Sequence, residues 1–213
     1  MSAPLYATTG SGEAVLIEKK SRFIGALAHA ETEEEARRFV AAVSAKHRDA
    51  SHNVYCYLLR AQNTVRFSDD GEPQGTAGRP ALEVLTRAGV TDCCLVVTRY
   101  FGGTLLGANG LVRAYAASAA AALGAAGIYD MLPRALLRCR FTYADWARAE
   151  PLLRKEAGVG VGEPEYGGDV AVLLDAPPEA VPALKSLLME KTAGRVAAEA
   201  AGERLSAVRR DED

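Results

Sequence analysis

Two hydrophobic rhythms alternate along this chain, and the places where one gives way to the other define the predicted elements. Alternating apolar positions mark Glu13 to Ile17 and Arg22 to Ala28 as strands across a short Lys19-Lys20 turn. Thr32 followed by Glu35 is a capping-box pattern, and Ala36, Phe39, Val40 and Val43 share a helical face, which predicts a helix to about His47. Asn53 to Leu59 and Val65 to Phe67 read as further strands. Cys93 to Thr98 is a short apolar run of the kind buried on both faces of a sheet. A glycine-rich loop precedes and another follows this run, and each leads into a helical pattern. In the first, Ser68 to Gly78, the turn dipeptides Asp70-Gly71 and Glu72-Pro73 force the backbone to reverse, and Pro80 suits a first helical position. The second runs from Tyr100 to Asn109, with Gly102, Gly103 and Gly107. Asn109 is the expected N-cap of a long alanine-rich helix ended by Gly124 and Gly127. Residues 1 to 12, small and polar, are expected to fray.

The pattern changes after Ile128 to Pro133, which reads as a domain linker. Leu136 to Thr142 is a predicted strand and Tyr143 to Ala157 a helix stopped by Gly158. Strands at Val159 to Tyr166 and Val170 to Asp175 flank a Gly167-Gly168 turn. A helix from Pro177-Pro178 to about Thr192 follows, and a final strand spans Arg195 to Val208. The expected fold class is α+β in two domains, residues 1–130 and residues 134–213. The second has the β-α-β-β-α-β order of a ferredoxin-like domain.

Composition narrows the class. With 49% hydrophobic and 24% charged residues, the 213-residue chain is expected to fold rather than to be disordered. No apolar run approaches the roughly 20 residues that span a bilayer, so no membrane partner is expected. No basic segment followed by an apolar core and a cleavage site opens the chain, so the expected address is cytoplasmic. Cys56, Cys93, Cys94 and Cys139 lack metal-ligand spacing and read as buried free thiols. A net charge of −2 argues against binding of nucleic acid by bulk charge, so any such contact would have to be a local patch.

The motifs SDDGEP, GTAGRP, VTRYFGG and GLVRAY, in this order, together with KSRFI at Lys20 to Ile24 and SHNVYCY at Ser51 to Tyr57, resemble the signature of the YigZ/IMPACT family. The resemblance covers most of residues 15 to 125. It implies a first domain similar to the second-domain fold of a small-subunit ribosomal protein and to domain IV of elongation factor G. The second domain is implied to resemble domain V of that factor. It further implies a cytosolic, non-enzymatic factor linked to regulation of translation, with RNA, the ribosome or a translation-related protein as candidate partners. Eukaryotic relatives look like modulators of translational control with an additional N-terminal domain.

Three readings of the glycine loops compete. In the structural one, Asp69 and Asp70 cap turns and Arg79 or Arg99 neutralises them. In the second, loop amides and the helix dipole meet an anion, with arginines supplying charge. Lys20, Arg22, Arg79, Arg99 and Arg113 would then line one surface with Gly102, Gly103 and Asn109, and His52, Asp69 and Asp70 would complete the ligand-binding set. In the third, Asp69, Asp70 and Glu72 hold Mg²⁺ for phosphoryl transfer or hydrolysis, with His52 or Asp70 as base. No nucleotide-loop pattern is present, and neither a resident metal nor a cofactor is expected. His47 lies near His52 in sequence, but their spacing does not put both rings on one face of one element. A binding module predicts affinity that falls steeply with salt and needs no divalent ion, with Arg99→Ala weakening RNA binding while stability changes little.

Overall fold

The structure, a computed structural model, describes residues 4–210. They divide into two compact units: Tyr6–Asp130 with Arg209 and Arg210, and Met131–Val208 with residues 4 and 5. The architecture is α+β throughout.

The first unit contains β1 (Tyr6–Thr9), β2 (Gly12–Glu18), β3 (Ser21–His29), α1 (Glu33–Lys46), β4 (His52–Leu59), β5 (Thr64–Ser68), α2 (Gly78–Arg87), β6 (Cys93–Tyr100) and α3 (Ala108–Ala126). Its sheet has the order β2-β3-β6-β4-β5, with every neighbouring pair antiparallel. Successive side chains of a strand point to opposite faces. Cys93, Leu95 and Val97 therefore meet Phe23, Leu27, Val54 and Cys56 beneath α2 and α3. Cys94 joins Ala36, Tyr57 and Leu59 beneath α1. Coverage on both faces explains why β6 is apolar from Cys93 to Val97. Thr32 caps α1 as predicted: its hydroxyl accepts from the Glu35 amide at 3.2 Å, and Glu35 accepts from the Thr32 amide at 3.3 Å.

Several expectations change. Residues 6–9 form a strand whose Ala7 carbonyl accepts from the Thr91 amide at 2.9 Å, while the Thr8 hydroxyl meets His29 Nδ1 at 2.8 Å. Partners more than twenty residues away order a segment with no local signal. Pro80 is the third residue of α2, because Asp69 caps the helix earlier, from within the loop. The N-cap of α3 is Gly107, at φ 72°, and Asn109 is already helical. Gly124 lies inside α3, which ends at Gly127 with φ 74°. The supposed linker is the first part of a long strand: the Ile128 carbonyl accepts from the Arg210 amide at 2.8 Å and the Met131 carbonyl from Leu5 at 3.0 Å.

That strand is β7 (Ile128–Phe141). It is followed by α4 (Tyr143–Leu153), β8 (Gly160–Val161), β9 (Glu165–Tyr166), β10 (Val170–Ala176), α5 (Val181–Lys191) and β11 (Ala198–Arg209). β10 pairs antiparallel with β7, β8 and β9 pair with β10, and β11 pairs with β7. The single predicted strand Val159 to Tyr166 is broken because Pro164 has no amide to donate to the ladder. α4 stops at Leu153, four residues before the predicted end, in tightened turns such as Lys155 N–H to Leu152 C=O at 3.1 Å. Leu137, Phe141, Trp146, Leu153, Val172 and Leu188 fill this unit's core.

All four cysteines are buried free thiols, and burial pushes Cys93 and Cys94 up to about 12. No helix among the described residues is long and apolar enough to cross a membrane.

The second unit contains a built-in acid sensitivity. Arg195 donates Nη2–H and Nε–H to the Asp145 carboxylate at 2.7 and 3.0 Å, and this holds the Asp145 carboxyl at about 2, against an ordinary 3.8. A depressed carboxyl contributes stability that is present above its unfolded value and lost as pH falls through its folded value. Acid unfolding of this unit should therefore steepen between about pH 4 and pH 2. The chain's single tryptophan, Trp146, lies in the same core, so its fluorescence reads the transition. Asp145→Asn should remove the steepening, and an unchanged acid profile would contradict it.

Candidate functional site

The antiparallel sheet brings the start of β4, the end of β6 and both glycine loops to one end, beside the N-terminus of α3. A cross-strand row of Phe23, Arg99 and His52 crosses β3, β6 and β4 on the face covered by α2 and α3. Arg99 donates Nη1–H to Glu72 Oε1 at 2.6 Å, and the Tyr115 hydroxyl donates to the same oxygen at 2.7 Å. The Arg99 and Glu72 side chains are only 7% and 3% exposed, so the pair is desolvated. Its guanidinium also lies 5.5 Å from the Phe23 ring centre and 5.6 Å from that of Phe101. Burial first, and then the Glu72 charge, push the Tyr115 hydroxyl far up, so it remains a donor.

His52 is oriented by the first loop. Its Nδ1 lies 2.7 Å from the Asp70 carbonyl, and a carbonyl only accepts, so Nδ1 bears the proton. Nε2 is left with the lone pair, 3.9 Å from Glu72 Oε2. These groups border an open depression of about 450 Å³ whose walls include Pro73, Phe101, Leu105, Leu106 and Leu111. Gly107 and Ala108 line it too, so the first-turn amides of α3 open here with no side-chain cap. The Arg99 Nε–H is buried and has no hydrogen-bond partner. Phe101 and Leu105, 49% and 83% exposed, stand at the rim. The arrangement suits an anion lying against the helix end with an apolar or aromatic group beside it.

The acidic residues of the first loop are engaged with the backbone. Asp69 Oδ2 accepts from the Gly75 amide at 2.8 Å, and Oδ1 from Ala77 and Gly78 at 3.2 and 2.7 Å. It thereby caps α2. Asp70 accepts from the Asn53 amide, and its φ of 44° closes the turn. With Glu72 held by Arg99 and Tyr115, these carboxylates act as turn and core groups. Among the described residues no cluster of three or more metal-ligating side chains is present.

The basic residues anticipated on one surface are dispersed. Arg22 registers against Tyr100, on the α1 face, and stacks 4.7 Å from that ring. Arg79 pairs with Glu83 at 3.3 Å on α2, in a different groove. Arg113 is exposed on α3, and Lys20 occupies the β2–β3 turn at φ 67°. For Arg22 the reason is strand alternation, which puts it with Tyr100 on the face opposite Arg99, whereas Arg79 and Arg113 are carried by α2 and α3. His47 falls on the α1 side, where Nδ1 lies 2.9 Å from the Tyr100 hydroxyl. Gly102 belongs to the site through its backbone: a Cβ there would lie 2.0 Å from the Lys20 carbonyl carbon, and its amide donates to Ser21 Oγ at 3.2 Å. Gly103 has φ 80° and open space around it. Tyr115 and the rim residues Phe101 and Leu105 were not singled out in the sequence. The aromatic within VTRYFGG and the tyrosine of GLVRAY are the signals that could have found them.

A model of the Impact N-terminal domain matches residues 19–123, and a model of a domain of unknown function, DUF1949, matches residues 139–195. The chain is 43% identical over 142 residues to the IMPACT family member YvyE of Bacillus subtilis, a match covering 66% of this chain and 64% of that protein. It thus spans just under two thirds of that relative's length. It is 40% identical over 184 residues to an IMPACT family member of Thermus thermophilus, covering 84% of this chain and 98% of the relative. A solved structure described as that of a hypothetical protein aligns with TM-score 0.52 at 33% identity, over 94% of this chain and 96% of the other.

Proposed function

The chain belongs to the IMPACT family, and we propose that it is a cytosolic, non-enzymatic factor linked to the regulation of translation, binding RNA or the ribosome at the depression beside α3. The observation that carries this reading is the convergence of Arg99 and the uncapped first turn of a 19-residue helix on one open depression with an aromatic rim. Phosphate is the anion that fits such a helix end, and a nucleobase fits the exposed Phe101 ring. The strand order β11-β7-β10-β8 supports a ferredoxin-like second unit, similar to domain V of elongation factor G. The first unit is read in the same way as the ribosomal-protein-like domain. Mg²⁺-dependent transfer finds less support, because Asp69, Asp70 and Glu72 already accept from amides, a guanidinium and a hydroxyl.

Because Glu72 neutralises Arg99, this site offers one or two phosphate contacts instead of a basic stripe. The salt slope for single-stranded RNA should then be shallow, about −0.7 to −1.4 on a log–log plot. Fluorescence anisotropy with labelled single-stranded and structured RNA, with and without Mg²⁺, measures it. Phe101→Ala should weaken binding about tenfold through lost stacking. Asn109→Asp adds a charge in the first turn of α3, where the helix dipole tolerates it, so stability should hold while RNA affinity falls. No binding at low salt, or binding indifferent to both substitutions, would sink this reading.

A further inference from the structure

We propose that the outer edge of the first unit's sheet, where β5 faces α2, is a docking groove for an extended acidic and apolar segment of a partner protein, added as a further strand. β5 ends the sheet order, so one side of its backbone has no strand beside it. An edge of that kind is a template for strand addition. Two large apolar residues of this strand, Val65 and Phe67, remain 41% and 47% exposed. Phe67 registers against Cys56, so its ring lies on the α2 face, where a Cβ at Gly78 would come within 3.2 Å of it. Strand and helix together enclose a groove of about 610 Å³ lined by Phe67, Arg79, Leu82, Glu83, Thr86 and Arg87.

The charges in this groove select the occupant. Arg79 and Arg87 share one carboxylate, Glu83, at 3.3 and 3.4 Å, which leaves the groove net positive. Both guanidiniums are largely exposed and retain free donors for a second carboxylate each. The two arginines are eight residues apart on the helix, about 12 Å along its axis. Residues four apart in an extended chain are separated by about 13 Å and point to the same face. The fitting pattern is therefore acidic, any, apolar, any, acidic, with the central side chain over Phe67 and Leu82. RNA has no alternating donors and acceptors to match a strand edge, so the groove favours a protein segment. None of these residues lines the depression beside α3, and the two surfaces fail or succeed independently.

Selection of a displayed library of random heptapeptides on the full chain tests this directly. Enrichment of the acidic–apolar alternation is expected. The leading peptide, synthesised, should bind in the micromolar range and protect β5 amides from hydrogen exchange. Phe67→Arg alters an exposed side chain and should weaken that peptide at least tenfold with RNA binding unchanged. Arg79→Glu/Arg87→Glu should convert the selected preference from acidic to basic residues. Absence of enrichment, exchange protection elsewhere than β5, or binding indifferent to Phe67→Arg would overturn the proposal. So would RNA affinity that falls with the double charge reversal, because it assigns the groove to nucleic acid.

Discussion

Arg99→Met is expected to lower the stability of the first unit by about 3–5 kcal/mol, the cost of leaving one member of a buried ion pair without its partner. The variant retains the length of the side chain and its packing between Phe23 and Phe101, so the loss is electrostatic and not a cavity effect. Glu72 would remain, 3% exposed, with the Tyr115 hydroxyl as its hydrogen-bond donor and the His52 ring 3.9 Å from its second oxygen. Urea unfolding followed by far-UV circular dichroism measures the change. Fluorescence of Trp146 reports the second unit and should be nearly unaffected. Replacing the whole cluster, Arg99→Met with Glu72→Leu and Tyr115→Phe, removes the stranded charge and the stranded hydroxyl together. Most of the lost stability should return, because a buried pair is often no better than apolar groups of the same shape. A single variant within about 1 kcal/mol of wild type would contradict the buried geometry. The expectation drawn from sequence, that Arg99 could be removed at little cost to folding, is replaced by this one.

Gly102→Ala is the second substitution expected to act strongly. The added Cβ would lie 2.0 Å from the Lys20 carbonyl carbon, 2.2 Å from its oxygen and 2.4 Å from the Ser21 nitrogen. All three are backbone atoms of the tight β2–β3 turn, so no side chain can swing aside. The second loop must lift away from the turn, losing the bond from the Gly102 amide to Ser21 Oγ. Overpacking of this kind costs about 1–3 kcal/mol, and with backbone on the receiving side the upper end is expected. The same displacement moves Phe101, so RNA affinity should fall along with the urea midpoint. Gly103→Ala is the control: its φ of 80° is strained for alanine, but nothing lies within 4 Å of the new methyl, so its effect should be smaller. Equal effects of the two would show that backbone conformation, and not close approach, explains both glycines.

Much of the fold was legible because its signals are local. The capping box at Thr32 and Glu35, the two-sided apolar run of β6 and the alternation in β2 and β3 each lie within a few residues, and the structure reproduces them. Strand β1 and the first part of β7 were misread because their hydrogen bonds go to Thr91, His29 and Arg210, which no window of sequence contains. Asp69 shows the same limit at the site. The sequence offered it as a turn cap, as part of a ligand-binding set or as a Mg²⁺ carboxylate, and only the folded loop, where it accepts from three amides, favours the first.

By itself the sequence determined the α+β class and the buried thiols, through composition and periodicity, and the family, through the order of its motifs. Tertiary structure decided which residues of those motifs face one another. It paired Arg99 with Glu72, turned Arg22 and Arg79 away, and opened the end of α3 onto an aromatic rim. The physical reason is that a strand alternates faces at every residue and a sheet joins strands remote in sequence, so adjacency in the chain says little about adjacency in space.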